Sequence, residues 1–103
     1  MGEFVTVGNA DEIAEGEAKA FMIENAEIAV ARSEGTLYAF SDICTHQQCN
    51  LSVGSEIDGS TIQCECHGST FDMGTGAVVQ GPAVDPIETY PVSDEDGELR
   101  IEV

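Results

Sequence analysis

Residues 44–72 read CTHQQCNLSVGSEIDGSTIQCECHGSTFD, and this stretch decides how the chain is understood. It holds all four cysteines and both histidines of a 103-residue sequence. They fall as Cys44-Thr45-His46, then Cys49, then Cys64-Glu65-Cys66-His67. Thiolates and imidazoles are the ligands that iron, zinc and copper select, so their confinement to one stretch predicts a metal centre. A plant-type iron–sulfur site would begin with the Cys44-x₄-Cys49 spacing, but the C-x₂-C that should follow is missing. Cys64 and Cys66 point to opposite sides of an extended backbone and make poor co-ligands. Cys44, His46, Cys64 and His67 form the better set. Cys-x-x-His on a turn brings both side chains to one side, and Cys-x-His on a second loop can face it. Two thiolates on one iron and two imidazoles on the other is a known ligation of a [2Fe–2S] cluster. The same four ligands in a tetrahedral zinc site are the structural alternative, although C-x-H with C-x-x-H is not zinc-finger spacing. Four cysteines in a disulfide scaffold are a third reading.

Outward from this stretch, both flanks read as β-structure. Residues 3–7, 18–24, 27–32 and 36–41 are rich in β-branched and aromatic side chains and predict strands. Ile28 and Val30 share one face of their strand, as do Tyr38 and Phe40 of the next. Glu24-Asn25-Ala26 and Glu34-Gly35 supply turns. Asn9 is an N-cap for one acidic helical turn reaching Glu15 and closed by Gly16. Residues 42–81 change character, dense in Cys, His, Gly, Ser and Thr, and predict a loop-rich insertion with short strands near 56–57, 61–64 and 70–72. Strands resume at 86–92 and 98–103, joined by a turn over Ser93–Gly97 whose Asp96-Gly97 is a hairpin signal. The expectation is a single all-β domain over 1–103. Its base is an antiparallel sandwich formed by 1–41 and 82–103, and the inserted unit, about 42–81, carries the metal.

Charge narrows the partners. Twenty acidic residues face only Lys19, Arg32 and Arg100, for a net charge of −17. Nothing here neutralises phosphate, so nucleic acid is excluded, and an anionic membrane surface is equally disfavoured. No run approaches the roughly 20 apolar residues of a membrane span. Met1-Gly2 with Thr6 fits a myristoylation pattern and Asn50-Leu51-Ser52 a glycosylation sequon. Neither has supporting context, because there is no basic patch and no secretion signal. The expected location is the cytoplasm, where thiols are usually reduced and open to metals. The acidity favours solubility, or steering toward a basic protein surface.

The ligand stretch closely resembles the Rieske iron–sulfur motif: Cys44-Thr45-His46, then Cys64-x-Cys66-His67-Gly68-Ser69-x-Phe71-Asp72. The likeness continues in Leu51-Ser52…Gly54, Thr75-Gly76, Gly81-Pro82-Ala83 and Tyr90-Pro91-Val92, and so covers nearly the whole chain in order. The length and the C-terminal pattern look most like the Rieske ferredoxins of bacterial aromatic-ring dioxygenases. The resemblance implies a Rieske-type fold and one [2Fe–2S] cluster, with Cys44 and Cys64 on the buried iron and His46 and His67 on the outer one. It implies a carrier, not an enzyme: a monomer taking single electrons from a flavin-containing reductase to a terminal oxygenase. The small Rieske-type subunit of an assimilatory nitrite reductase is the nearest alternative. Cys49 and Cys66 match positions that form a disulfide in respiratory Rieske proteins, and many dioxygenase ferredoxins lack them; the resemblance implies a Cys49–Cys66 bridge against the commoner ferredoxin pattern, with two reduced thiols as the alternative. The resemblance also places Pro82 on a loop covering the cluster. Ser69 matches a hydroxyl that donates to cluster sulfur, and Phe71 stands where high-potential relatives carry a tyrosine. The missing hydroxyl places the midpoint in the lower half of the Rieske range of about −150 to +300 mV.

Overall fold

The computed structural model describes residues 3–43, 49–65, 68–81 and 83–102. Among them are eleven strands: β1 (Phe4–Asn9), β2 (Ala18–Ile23), β3 (Ala26–Ser33), β4 (Thr36–Ser41), β5 (Glu56–Asp58), β6 (Thr61–Gln63), β7 (Thr70–Asp72), β8 (Val78–Gln80), β9 (Thr89–Tyr90), β10 (Val92–Glu95) and β11 (Glu98–Glu102). They form three antiparallel sheets in the orders β1-β11-β10, β2-β3-β4-β9 and β5-β6-β7-β8. The all-β, antiparallel architecture expected from sequence is what the chain adopts.

The wall between the base and the site is the β3–β4 hairpin. β3 is buried on both faces, so its alternation sends side chains into two different cores. Ile28 and Val30 point into the base core with Ala39, Leu99 and Ile101. Ala29 and Ala31 point the other way, against Phe40, Leu51, Ile62, Phe71 and Cys64. The third sheet, β5 to β8, therefore rests on the back of β3–β4, and its inner face is continuous with the ligand region.

The tight turns have a common cause. Glu24-Asn25, Glu34-Gly35 and Asp96-Gly97 all adopt positive φ at both positions, the geometry of two-residue hairpins that match strand twist. The helical turn is shorter than expected. It is a 3₁₀ turn at Ala10–Glu12, capped by Asn9 and by Glu12 in a reciprocal capping box. Arg32 then pins the segment after it, donating from Nε to the Ile13 carbonyl (2.8 Å) and from Nη2 to the Ala10 carbonyl (2.9 Å).

Three expectations need correction. Residues 86–92 are not one strand: β9 pairs with β4, Pro91 interrupts, and β10 pairs with β11 in a different sheet. Proline has no N–H to give a ladder, and here it marks the change of sheet. The acidic run after Val92 is not all turn, because Ser93, Asp94 and Glu95 belong to β10 and only Asp96-Gly97 reverse the chain. β8 stands where the sequence pattern predicts no strand, since the four residues between Gly76 and Gly81 carry no periodicity.

Glu15 ties the base together at its surface. Its carboxylate accepts the Glu34 and Gly35 N–H groups of the β3–β4 turn, and those bonds lower its pKa below the usual carboxylate value. A depressed carboxylate contributes stability above its unfolded pKa and loses it as pH falls through the folded value. Glu15→Gln is therefore expected to be less stable than the parent at pH 7, with the gap closing in acid. Urea midpoints for both proteins at neutral pH and near pH 3 check this; a gap that stays constant contradicts it.

Candidate metal centre

Two hairpin-like loops carry the predicted ligands, and each is closed at its neck by main-chain bonds. The first leaves β4 through Asp42 and Ile43 and returns at Asn50, where Ile43 and Asn50 form an antiparallel bridge. The Leu51 N–H donates to the Asp42 carbonyl (2.6 Å), and Leu51 is wholly buried in the core behind the site. The second loop joins β6 to β7. Its neck is Cys64, whose N–H donates to the Ser69 carbonyl (2.8 Å) and whose carbonyl accepts the Gly68 N–H (3.0 Å). Gly68 sits at φ +80°, which lets the loop turn this tightly.

Cys64 is 2% exposed and keeps its thiol outside any disulfide, in contact with the shared core. Cys49 is disulfide-bonded and half-buried against the same core. A soft donor fixed at both backbone ends, in an apolar wall, suits a buried thiolate-ligated iron. Cys44, His46, His67, Cys66 and Pro82 lie outside the described residues.

The third segment reaches the site through Ser69. This residue is 1% exposed, and its Oγ accepts the Ala83 N–H at 3.1 Å. The loop before β9 is thereby latched to the second ligand loop, with Ala83 buried and Val84 turned out to solvent. Because Oγ is the acceptor in this bond, the hydroxyl hydrogen remains for another acceptor, consistent with the donor role implied for Ser69. Phe71 is fully buried beside Cys64 in the same core and pairs across strands with Ile62 and Val78.

A residue that the sequence did not single out sits at the first neck. Asp42 is fully buried. Its Oδ1 accepts the Ser52 N–H (2.6 Å), and its Oδ2 accepts the Asn50 amide (2.7 Å) and the Ser52 hydroxyl (3.0 Å). The Asn50 amide also reaches Glu27 Oε2 (3.1 Å) on β3. The available signal was its place two residues before Cys44, but one aspartate among twenty acidic residues does not stand out. The two loops also meet at Gly54. There φ is +71°, and an added Cβ would stand 1.4 Å from a Glu65 carboxylate oxygen.

Comparison with known proteins agrees with this arrangement. The Rieske [2Fe-2S] domain family matches residues 3–91. The chain belongs to the Rieske [2Fe–2S] family. Its cofactor is accordingly a [2Fe–2S] cluster, which sets aside the zinc and disulfide-scaffold readings. The chain is 33% identical over 103 residues to the anthranilate 1,2-dioxygenase ferredoxin subunit of Burkholderia cepacia, covering 100% of this chain and 94% of that protein. The structure of a Sphingomonas yanoikuyae B1 ferredoxin superposes with a TM-score of 0.89 at 31% identity, covering 98% of this chain and 99% of that one. A ferredoxin solved in complex with the oxygenase of carbazole 1,9a-dioxygenase superposes at 0.86 with 29% identity, covering 95% and 91%. Among the described residues no helix is long and apolar enough to cross a membrane.

Proposed function

We propose that this Rieske protein is a one-electron carrier that takes electrons from a flavin-containing reductase and delivers them to a terminal aromatic-ring-hydroxylating oxygenase. It is an electron-transfer component and not itself an enzyme. The observation that carries the reading is the buried Cys64 thiol at the neck of the second ligand loop, within a fold shared along its length with dioxygenase ferredoxins. In this reading Cys44, His46, Cys64 and His67 hold the cluster, and Cys49 is bridged to Cys66 across the two loops. The unit 42–81 is the cluster-bearing part of the domain, and the protein works as a cytoplasmic monomer.

When bound, the cluster supplies reversible one-electron chemistry; the chain supplies burial, orientation and a docking face. The β3–β4 wall closes the inner side of the site with apolar side chains and excludes water there. Val53 and Val84 are exposed large apolar residues, the first following the loop-one neck and the second following the Ser69 latch. Apolar anchors within an acidic surface suit a small transient interface formed quickly with a basic partner. The test is reconstitution. Purified protein should be red-brown with iron and acid-labile sulfide, and an aromatic-ring oxygenase should turn over with a flavin reductase only when this protein is added. Turnover that is independent of it would refute the assignment.

The identity of residue 71 gives a separate expectation. Phe71→Tyr places a hydroxyl donor where high-potential relatives carry one, and donors to cluster sulfur stabilise the added electron. A bond worth about 1 kcal/mol corresponds to about 40 mV for a one-electron couple, so the midpoint should rise by roughly that amount. Redox titration of the two proteins measures it; an unchanged or lower midpoint contradicts the argument.

A further inference from the structure

We infer that Asp42 is a positioning residue for the cluster: it clamps the neck of the first ligand loop, and its buried negative charge holds the midpoint potential down. The inference rests on the [2Fe–2S] reading above. Asp42 stands two residues before Cys44, one of the two thiolates assigned to the buried iron. Its side chain is completely enclosed and, among the described residues, takes three hydrogen bonds from the returning limb of the loop: the Asn50 amide, the Ser52 N–H and the Ser52 hydroxyl. Its own N–H donates to the Glu27 carbonyl (2.9 Å), so the clamp is anchored to β3, the strand that walls off the site. Asp42 therefore ties the outgoing limb to the returning limb through its carboxylate and to the wall through its N–H. Such arrangements support metal ligands without touching the metal.

The charge has a second consequence. Among the described residues every hydrogen-bond partner of the carboxylate is a neutral dipole. The three cations of the chain are engaged elsewhere: Lys19 with Glu12, Arg100 with Glu98, and Arg32 with main-chain carbonyls. No lysine or arginine hydrogen-bonds Asp42, and the Asn50 amide that it holds is shared with the Glu27 carboxylate. In a water-excluded setting such a charge is weakly screened and opposes the arrival of an electron nearby.

The test compares the cluster-loaded parent with D42N and S52A. Three quantities are read: the midpoint by redox titration, iron release to excess chelator, and amide exchange at Leu51 and Ser52. D42N keeps the shape and removes the charge, so its midpoint should rise. Its iron release and its exchange at these amides should be about tenfold faster or more, the factor that one lost charge-assisted hydrogen bond is worth. S52A removes one donor and no charge, so its release should be severalfold faster with the midpoint in place. A merely structural role would not raise the midpoint in D42N alone. The inference is overturned if D42N has the parent's midpoint or a lower one, or if its iron release matches the parent's. Should D42N fail to fold, S52A decides: unchanged iron release and exchange overturn the clamp. A failure of the cluster reading shows itself separately, because the parent would then have no iron–sulfur spectrum.

Discussion

Cys64→Ala is expected to yield folded but colourless protein with essentially no iron or acid-labile sulfide, whereas Cys49→Ala, made together with Cys66→Ala, keeps the cluster. The two cysteine classes are separated by what surrounds them. Cys64 is held at both ends of its own peptide unit, by Ser69 on one side and Gly68 on the other, and its side chain is packed into the wall formed by β3 and β4. Little freedom remains for a neighbouring donor to take its place, so loss of this thiol removes a ligand outright. Cys49 is already committed to a disulfide. Removing that bridge releases a constraint on the unfolded chain and is expected to cost roughly 2–4 kcal/mol of stability without taking away a ligand. Iron and sulfide analysis, read beside a urea melt, distinguishes the roles. A Cys64→Ala protein with a full complement of iron would defeat the ligand assignment, and with it the function built on it.

The same contrast explains how much was legible beforehand. Cysteine and histidine are rare in this chain, so their spacing carried the site. Asp42 and Asn50 could not be found that way, because their importance lies in burial and in partners eight or more residues away. The hairpins at Glu34-Gly35 and Asp96-Gly97 could be read because the glycine at the second position accepts the positive φ that such turns require. The break at Pro91 could not. Thr89 and Tyr90 carry the side chains of a strand, and only the position of a second sheet tells which partner the chain takes on each side of the proline. At β3 the sequence pattern marks one face only, that of Ile28 and Val30, since alanines at 29 and 31 are silent in an alternation count. They face a second core because Phe40 and the third sheet press on that side. Local pattern thus marks most of the strands and the stretch that carries the candidate ligands, while the choice of neighbours is set by packing between segments far apart in sequence.

The largest loss of stability from a single methyl group is expected at Gly76. Its φ is +83°, and a Cβ there would stand 2.0 Å from the Ile87 carbonyl oxygen, well inside any contact a real structure tolerates. The obstacle is main chain, so it cannot rotate away as a side chain would. Gly76 is also fixed on both its polar groups: its N–H donates to the Asp72 carbonyl (2.7 Å), and its carbonyl accepts the Ile87 N–H (2.9 Å). Gly76→Ala must therefore push residues 86–88 outward. That movement draws the buried Ile87 from the core shared with Cys64 and strains the bond from the Ser41 N–H to the Glu88 carbonyl, at the end of β4 just before Asp42. Left-handed backbone in a residue with a side chain costs about 1–2 kcal/mol, and overpacking adds about 1–3 kcal/mol. A total of about 3 kcal/mol lowers the melting temperature by about 12–24 °C in a domain of this size. Gly59→Ala is the control, because φ there is +60° but nothing lies within 4 Å of the added Cβ. It should show only the backbone part of the loss. Thermal melts of the two variants within a few degrees of each other would mean that the close approach at Ile87 does not hold this end of β4 against the site.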